Sequence, residues 1–74
     1  MSTELKQLRI IKGLTLEDVS KKSGISTTYL NSIENGYQLN PSLDIIEKIS
    51  IGLNEDIVDI YYILKRMIKR LGQS

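Results

Sequence analysis

The chain has 74 residues, ten Lys and Arg against nine Asp and Glu, a formal charge of +1, and neither Cys nor His. That length suits one small domain near the lower limit for a self-sufficient core, and the missing Cys and His exclude disulfides, thiol catalysis, imidazole acid–base chemistry and the usual zinc ligands, so no cofactor and no metal is expected. The balanced charge does not announce nucleic acid by itself, no apolar run approaches the roughly 18 residues of a membrane span, and the charged start MSTELKQLRIIKG does not read as a signal peptide; the expected location is cytoplasmic.

Glycines at positions 13, 24, 36, 52 and 72 and the single Pro41 divide the chain into segments with helical periodicity between them. Apolar residues recur at spacings of three and four, not two, so the expectation is all-α, a single domain over 1–74. Helix one spans about 2–12, with Leu5 and Leu8 on neighbouring turns, and stops at Gly13. Helix two spans 16–23, opened by Thr15 and Asp18 at capping-box spacing and closed by Gly24. Helix three spans 27–34, capped by Ser26 and closed at Asn35 and Gly36. Ser42 caps a fourth helix, 43–51, whose stripe is Leu43, Ile46, Ile49 and Leu53. The fifth and longest, 55–71, starts on the acidic Glu55 and Asp56.

Two short helices joined by about three residues around a Gly have the geometry that lets the second project while the first crosses it. On helix three, Leu30 and Ile33 face inward with Ile25 just before them, while Thr27, Thr28, Asn31 and Ser32 occupy the outward arc. Hydroxyl and amide groups of this kind can donate to and accept from base edges. Taken alone, the same arc also describes an ordinary solvated helix face.

The run LRIIKGLTLEDVSKKSGISTTYLNSIENG, with NPSLDIIEKISIGL after it, resembles the lambda-repressor-like (XRE-type) helix-turn-helix family over Leu8 to Leu53. The matching features are Arg9 near the end of helix one, Thr15 opening helix two, Gly24 in the turn, and Ile-Glu-x-Gly closing helix three. Within the family, TTYLNSIENGYQLNPS is similar to both SinR-like repressors and restriction-modification controller proteins. The resemblance implies a compact five-helix DNA-binding domain, with Thr27, Thr28, Asn31 and Ser32 facing bases, and Thr15, Tyr29 and Asn35 on phosphates. It also implies an ion pair between Arg9 and Glu34 that joins helix one to helix three. Two alternatives stay open: Thr15 caps its helix or meets phosphate, and the Tyr29 ring packs or its hydroxyl bonds DNA. Leu16 stands where many members place a phosphate-clamping Gln, and small Ser20 stands where they place Ala.

Phosphate-binding charge is thin, with Lys12 the expected backbone contact at the end of helix one, so strength requires two subunits on two half-sites about 34 Å apart. Helix five suggests how they join. Ile57, Ile60, Tyr61, Leu64, Met67, Ile68 and Leu71 make a wide stripe. Its N-terminal half closes the core, leaving Leu64, Met67, Ile68 and Leu71 as a ridge for an isologous dimer. Tyr61 and Ile51 join that patch. The competing readings of helix five are a long core helix with a frayed end and a basic amphipathic helix on a membrane surface. The expected function is a homodimeric, sequence-specific transcriptional repressor binding double-stranded DNA of twofold symmetry. Its alternatives are an activating restriction-modification controller protein and a protein-interaction module that inhibits another regulator. Enzyme activity has little support, because the candidate nucleophiles Ser, Thr and Tyr have no His base, and no small-molecule ligand is evident.

Overall fold

Hydroxyl residues open four of the five helices. Thr3, Thr15, Ser26 and Ser42 sit in extended backbone and accept a hydrogen bond from the amide three residues on, each cap worth about 1 kcal/mol. The computed structural model describes residues 3–38 and 40–71, except the Leu71 side chain. Among these residues the helices are α1 (Glu4–Ile11), α2 (Leu16–Ser23), α3 (Thr27–Glu34), α4 (Leu43–Leu53) and α5 (Ile57–Leu71), with no strand.

The element edges differ from the sequence expectation where a cap decides them. The Thr3 cap starts α1 at Glu4, and Ser2 lies outside the described residues. Helix α4 continues to Leu53 because the chain leaves it through Asn54, whose left-handed backbone (φ 54°) lets the amides of Asn54 and Glu55 donate to the carbonyls of Ile51 and Ser50. Helix α5 then begins after Asp56, whose carboxylate accepts from the Val58 amide at 2.9 Å.

Helix α2 packs on α3 and α4, α4 packs on α5, and α1 lies along α5. The core is aliphatic: Leu5, Val19, Ile25, Leu30, Ile33, Ile46, Ile49, Leu53, Ile60, Ile63, Leu64 and Met67. Gly52 fixes the approach of α4 to α2. A Cβ built there meets the Val19 side chain at 2.9 Å, the Val19 carbonyl at 3.0 Å and Ser23 Cβ at 3.1 Å, so no larger residue fits without displacing a helix.

Two ion pairs set α1 antiparallel to α5. Near its start, Glu4 accepts from Arg66, with Nε at 3.0 Å; just past its end, Lys12 Nζ lies 2.6 Å from Glu55. This placement corrects the expected dimer ridge. Leu64 and Met67 are each 5% exposed, because the C-terminal half of α5 joins the same core as its beginning. The burial divides α5 around its circumference and not along its length: Ile60, Ile63, Leu64 and Met67 face the core, Ile68 is half-buried, and Ile57, Val58, Tyr61 and Tyr62 remain at the surface. The expected role of Leu71 falls on a side chain outside the described set.

Candidate nucleic-acid interface

Helix α3 is short, so its orientation depends on what holds it. Leu30 and Ile33, 2% and 1% exposed, anchor its inner side, with Ile25 below them. Arg9 and Glu34 are brought together inside the protein: Arg9 Nε and Nη2 donate to the two Glu34 carboxylate oxygens at 2.6 and 3.2 Å, and Nη1 donates to the Leu14 carbonyl at 2.8 Å. The fork geometry fixes distance and plane together. Thr3 adds a second tie between α1 and α3, its hydroxyl donating to the Glu34 carbonyl. Beyond Asn35 the chain turns at Gly36 (φ 78°), a backbone that costs a side-chain-bearing residue energy. The turn lets the Gly36 amide donate to the Ile33 carbonyl and the Tyr37 amide to Ser32.

The outward side of α3 carries Thr28, Asn31 and Asn35, all exposed, at i, i+3 and i+7, with half-buried Thr27 and Ser32 on its flanks. The surface is uncharged: Glu34, the helix's one ionisable carboxylate, points inward to Arg9. Hydroxyls and amides offer both donors and acceptors, and they can be brought against a base edge at lower desolvation cost than a charge.

Thr15 has an exposed side chain and closes a full capping box, its hydroxyl accepting from the Asp18 amide at 3.1 Å while the Asp18 carboxylate accepts from the Thr15 amide at 2.8 Å. These bonds hold the Asp18 carboxyl below its ordinary value, the backbone bond to Thr15 being the larger cause. The Tyr29 ring is half-buried against the core, so packing is at least part of its role, and Leu16 also packs there.

Two residues expected on the DNA backbone make contacts within the protein. Lys12, just past the end of α1, pairs with Glu55. Asn35 uses its side-chain N–H groups within the helix, donating to the carbonyl of Asn31 at 2.8 Å and to the side-chain oxygen of Asn31 at 2.9 Å. Asn35, expected on phosphate, also stands in the outward row, and its spacing of four from Asn31 is the signal in the sequence for their contact. The sequence pattern points to no role for Tyr37, 80% exposed just past the turn.

The helix-turn-helix pattern HTH_3 matches residues 5–60. The HTH-type transcriptional regulator SinR of Bacillus subtilis is 40% identical over 53 residues, covering 72% of this chain and 48% of that protein. The regulator SlrR of the same organism is 32% identical over 50 residues, covering 68% of this chain and 33% of that protein. The chain therefore spans half or less of the length of these two relatives. Among solved structures, the wild-type restriction-modification controller protein C.Esp1396I superposes with a TM-score of 0.69 at 32% identity, covering 89% of this chain and 84% of that one.

Proposed function

The chain belongs to the helix-turn-helix family, XRE-type DNA-binding transcriptional regulators, and from that premise we propose that it works in the cytoplasm as a homodimeric repressor, reading one half-site with each α3 on an operator of twofold symmetry. The observation that carries this reading is the uncharged donor-and-acceptor face of α3 on a helix locked by Arg9 and Glu34. Thr27, Thr28, Asn31 and Ser32 meet base edges, Thr15 and Tyr29 meet phosphate, and the register of the two half-sites supplies what one weakly charged subunit lacks.

The dimer face is best built from what the fold leaves exposed. Ile51 is 58% exposed, Val58 54% and Tyr62 55%, with Tyr61 at 37%. On α5, Val58, Tyr61, Tyr62 and Lys65 are helical neighbours: the tyrosine rings meet edge to face at 5.6 Å, and Lys65 Nζ lies 5.7 Å from the Tyr61 ring centre. Large apolar side chains exposed on adjacent turns are the usual mark of a protein contact. Expected outcomes are a dimer in sedimentation for the native protein and a monomer for Val58→Glu or Tyr61→Glu; an unchanged mass in both variants would overturn this interface. Leu64 is unsuitable for that test, since a carboxylate in the core would unfold the domain.

The function is tested by titrating the DNA upstream of the protein's own gene at several salt concentrations. A specific complex is expected, weakened at least fivefold by Thr28→Ala or Asn31→Ala, on the order of one lost base contact. Binding no stronger than to random DNA would refute it. Likeness to a controller protein favours one variant of the reading, in which the same dimer activates transcription from beside a promoter. A reporter fused to the bound promoter separates the two by the sign of the change.

A further inference from the structure

The contacts of Asn35 fix the chemical polarity of the outward face of α3. Its Nδ2 donates to both oxygens of Asn31, backbone and side chain, at 2.8 and 2.9 Å. The backbone carbonyl can only accept, so the Asn35 amide must turn its nitrogen toward it; rotated by half a turn, Asn35 Oδ1 would face that carbonyl and repel it. The same nitrogen then decides the orientation of Asn31, whose Oδ1 must face Asn35 because its Nδ2 would oppose another donor. A free asparagine presents either end to a partner; this pair presents one.

With both amides oriented, Asn31 Nδ2 is left as a donor and Asn35 Oδ1 as an acceptor, and neither has a partner among the described residues. We propose that Asn31 and Asn35 act as one reading element, with Asn35 both positioning Asn31 and supplying the acceptor, and that this element selects adenine on the base edge it meets. The adenine major-groove edge places an acceptor, N7, beside a donor, the N6 amino group. Guanine offers two acceptors in a row, so against it the Asn35 oxygen would face O6. The i, i+4 spacing lets two short side chains do what a single asparagine does with one amide, and water excluded on docking strengthens the link between them. The inference rests on the reading of α3 as a base-contacting helix and adds which residues set its preference and for what.

The test is selection from a random-sequence duplex library by the full chain, followed by binding titrations in which one position of the selected half-site is changed through all four base pairs. Expected is one position with at least a fivefold preference for adenine, lost in Asn35→Ala, in Asn35→Asp, which keeps the shape but cannot donate, and in Asn31→Ala. Preferences at the other positions are retained, and the Asn31→Ala, Asn35→Ala double variant loses no more than either single one. Partial unfolding scales all sequences alike and cannot produce this pattern. Uniform weakening by Asn35→Ala, or unaltered preferences, would overturn the inference while leaving the regulator reading intact. A native protein that selects no sequence would overturn both.

Discussion

Removing the carboxylate of Glu34 should cost this domain a large share of its stability. Arg9 is 9% exposed and Glu34 4%, so Glu34→Ala leaves a guanidinium inside the protein with one remaining bond, from Nη1 to the Leu14 carbonyl. Breaking a buried pair from one side costs about 3–5 kcal/mol. A domain of this size has roughly 4–11 kcal/mol in all, at 0.05–0.15 kcal/mol per residue. The expected fall in Tm exceeds about 12 °C, read by urea and thermal denaturation on the far-ultraviolet circular dichroism of the helices, with the urea slope checked for constancy. Because the loss comes from the stranded charge and not from a missing attraction, Arg9→Met with Glu34→Leu should return to within about 1 kcal/mol of the native chain. It should still bind DNA less well, since no planar fork then fixes α3. Glu34→Ala at a cost below about 1 kcal/mol with an unchanged urea slope would mean that the pair behaves as a solvated surface bridge, and the account of how α3 is held would fail.

Gly52→Ala should destabilise the domain by about 1–2 kcal/mol, the crowding against Val19 and Ser23 outweighing the roughly 1 kcal/mol that Ala gains over Gly inside a helix; a more stable variant would show that α2 and α4 can separate freely. Acid should weaken the fold through two carboxylates. The Arg66 hydrogen bonds hold Glu4 below its ordinary 4.5, and the Thr15 bonds hold Asp18 below 3.8. Both folded values are depressed, so their stabilisation is complete above the unfolded values and disappears as pH falls through the folded ones. Thermal melts from about pH 6 downward should therefore slope less steeply below about pH 4.5 in Glu4→Gln and Asp18→Asn than in the native chain; identical slopes would remove these two bonds as the cause.

Local chemistry made much of this fold legible. Ser, Thr and Gly mark the ends of α2 and α3 in the sequence because a cap depends on residues three apart, and the five-helix count depends on little else. What was not legible depends on which helices meet. The stripe on α5 seemed too wide for one small core only because nothing in α1 announces that it lies on α5; the Glu4–Arg66 contact spans 62 residues of sequence. In the folded domain Ile63, Leu64 and Met67 all face the core. The pairing of Lys12 is hidden for the same reason, its partner Glu55 lying 43 positions away. The Asn35 contact is hidden differently: its partner is near, but which end of the amide turns to the helix depends on hydrogen-bond polarity, which spacing alone does not reveal.

None of the residues proposed to face bases lies on helix α1, yet it is tied to α5 at both ends and to α3 through Arg9 and the Thr3 hydroxyl. The angle at which α3 leaves the protein is therefore set upstream of it in the chain, by a brace one helix long. In a two-subunit assembly built on α5, the same brace would transmit any tilt at the shared face to both reading helices at once, so the spacing between half-sites becomes a property of α1. Drift in residues that never touch DNA, Thr3 and Glu4 among them, is then a route by which such a regulator could change its targets while α3 stays letter for letter the same.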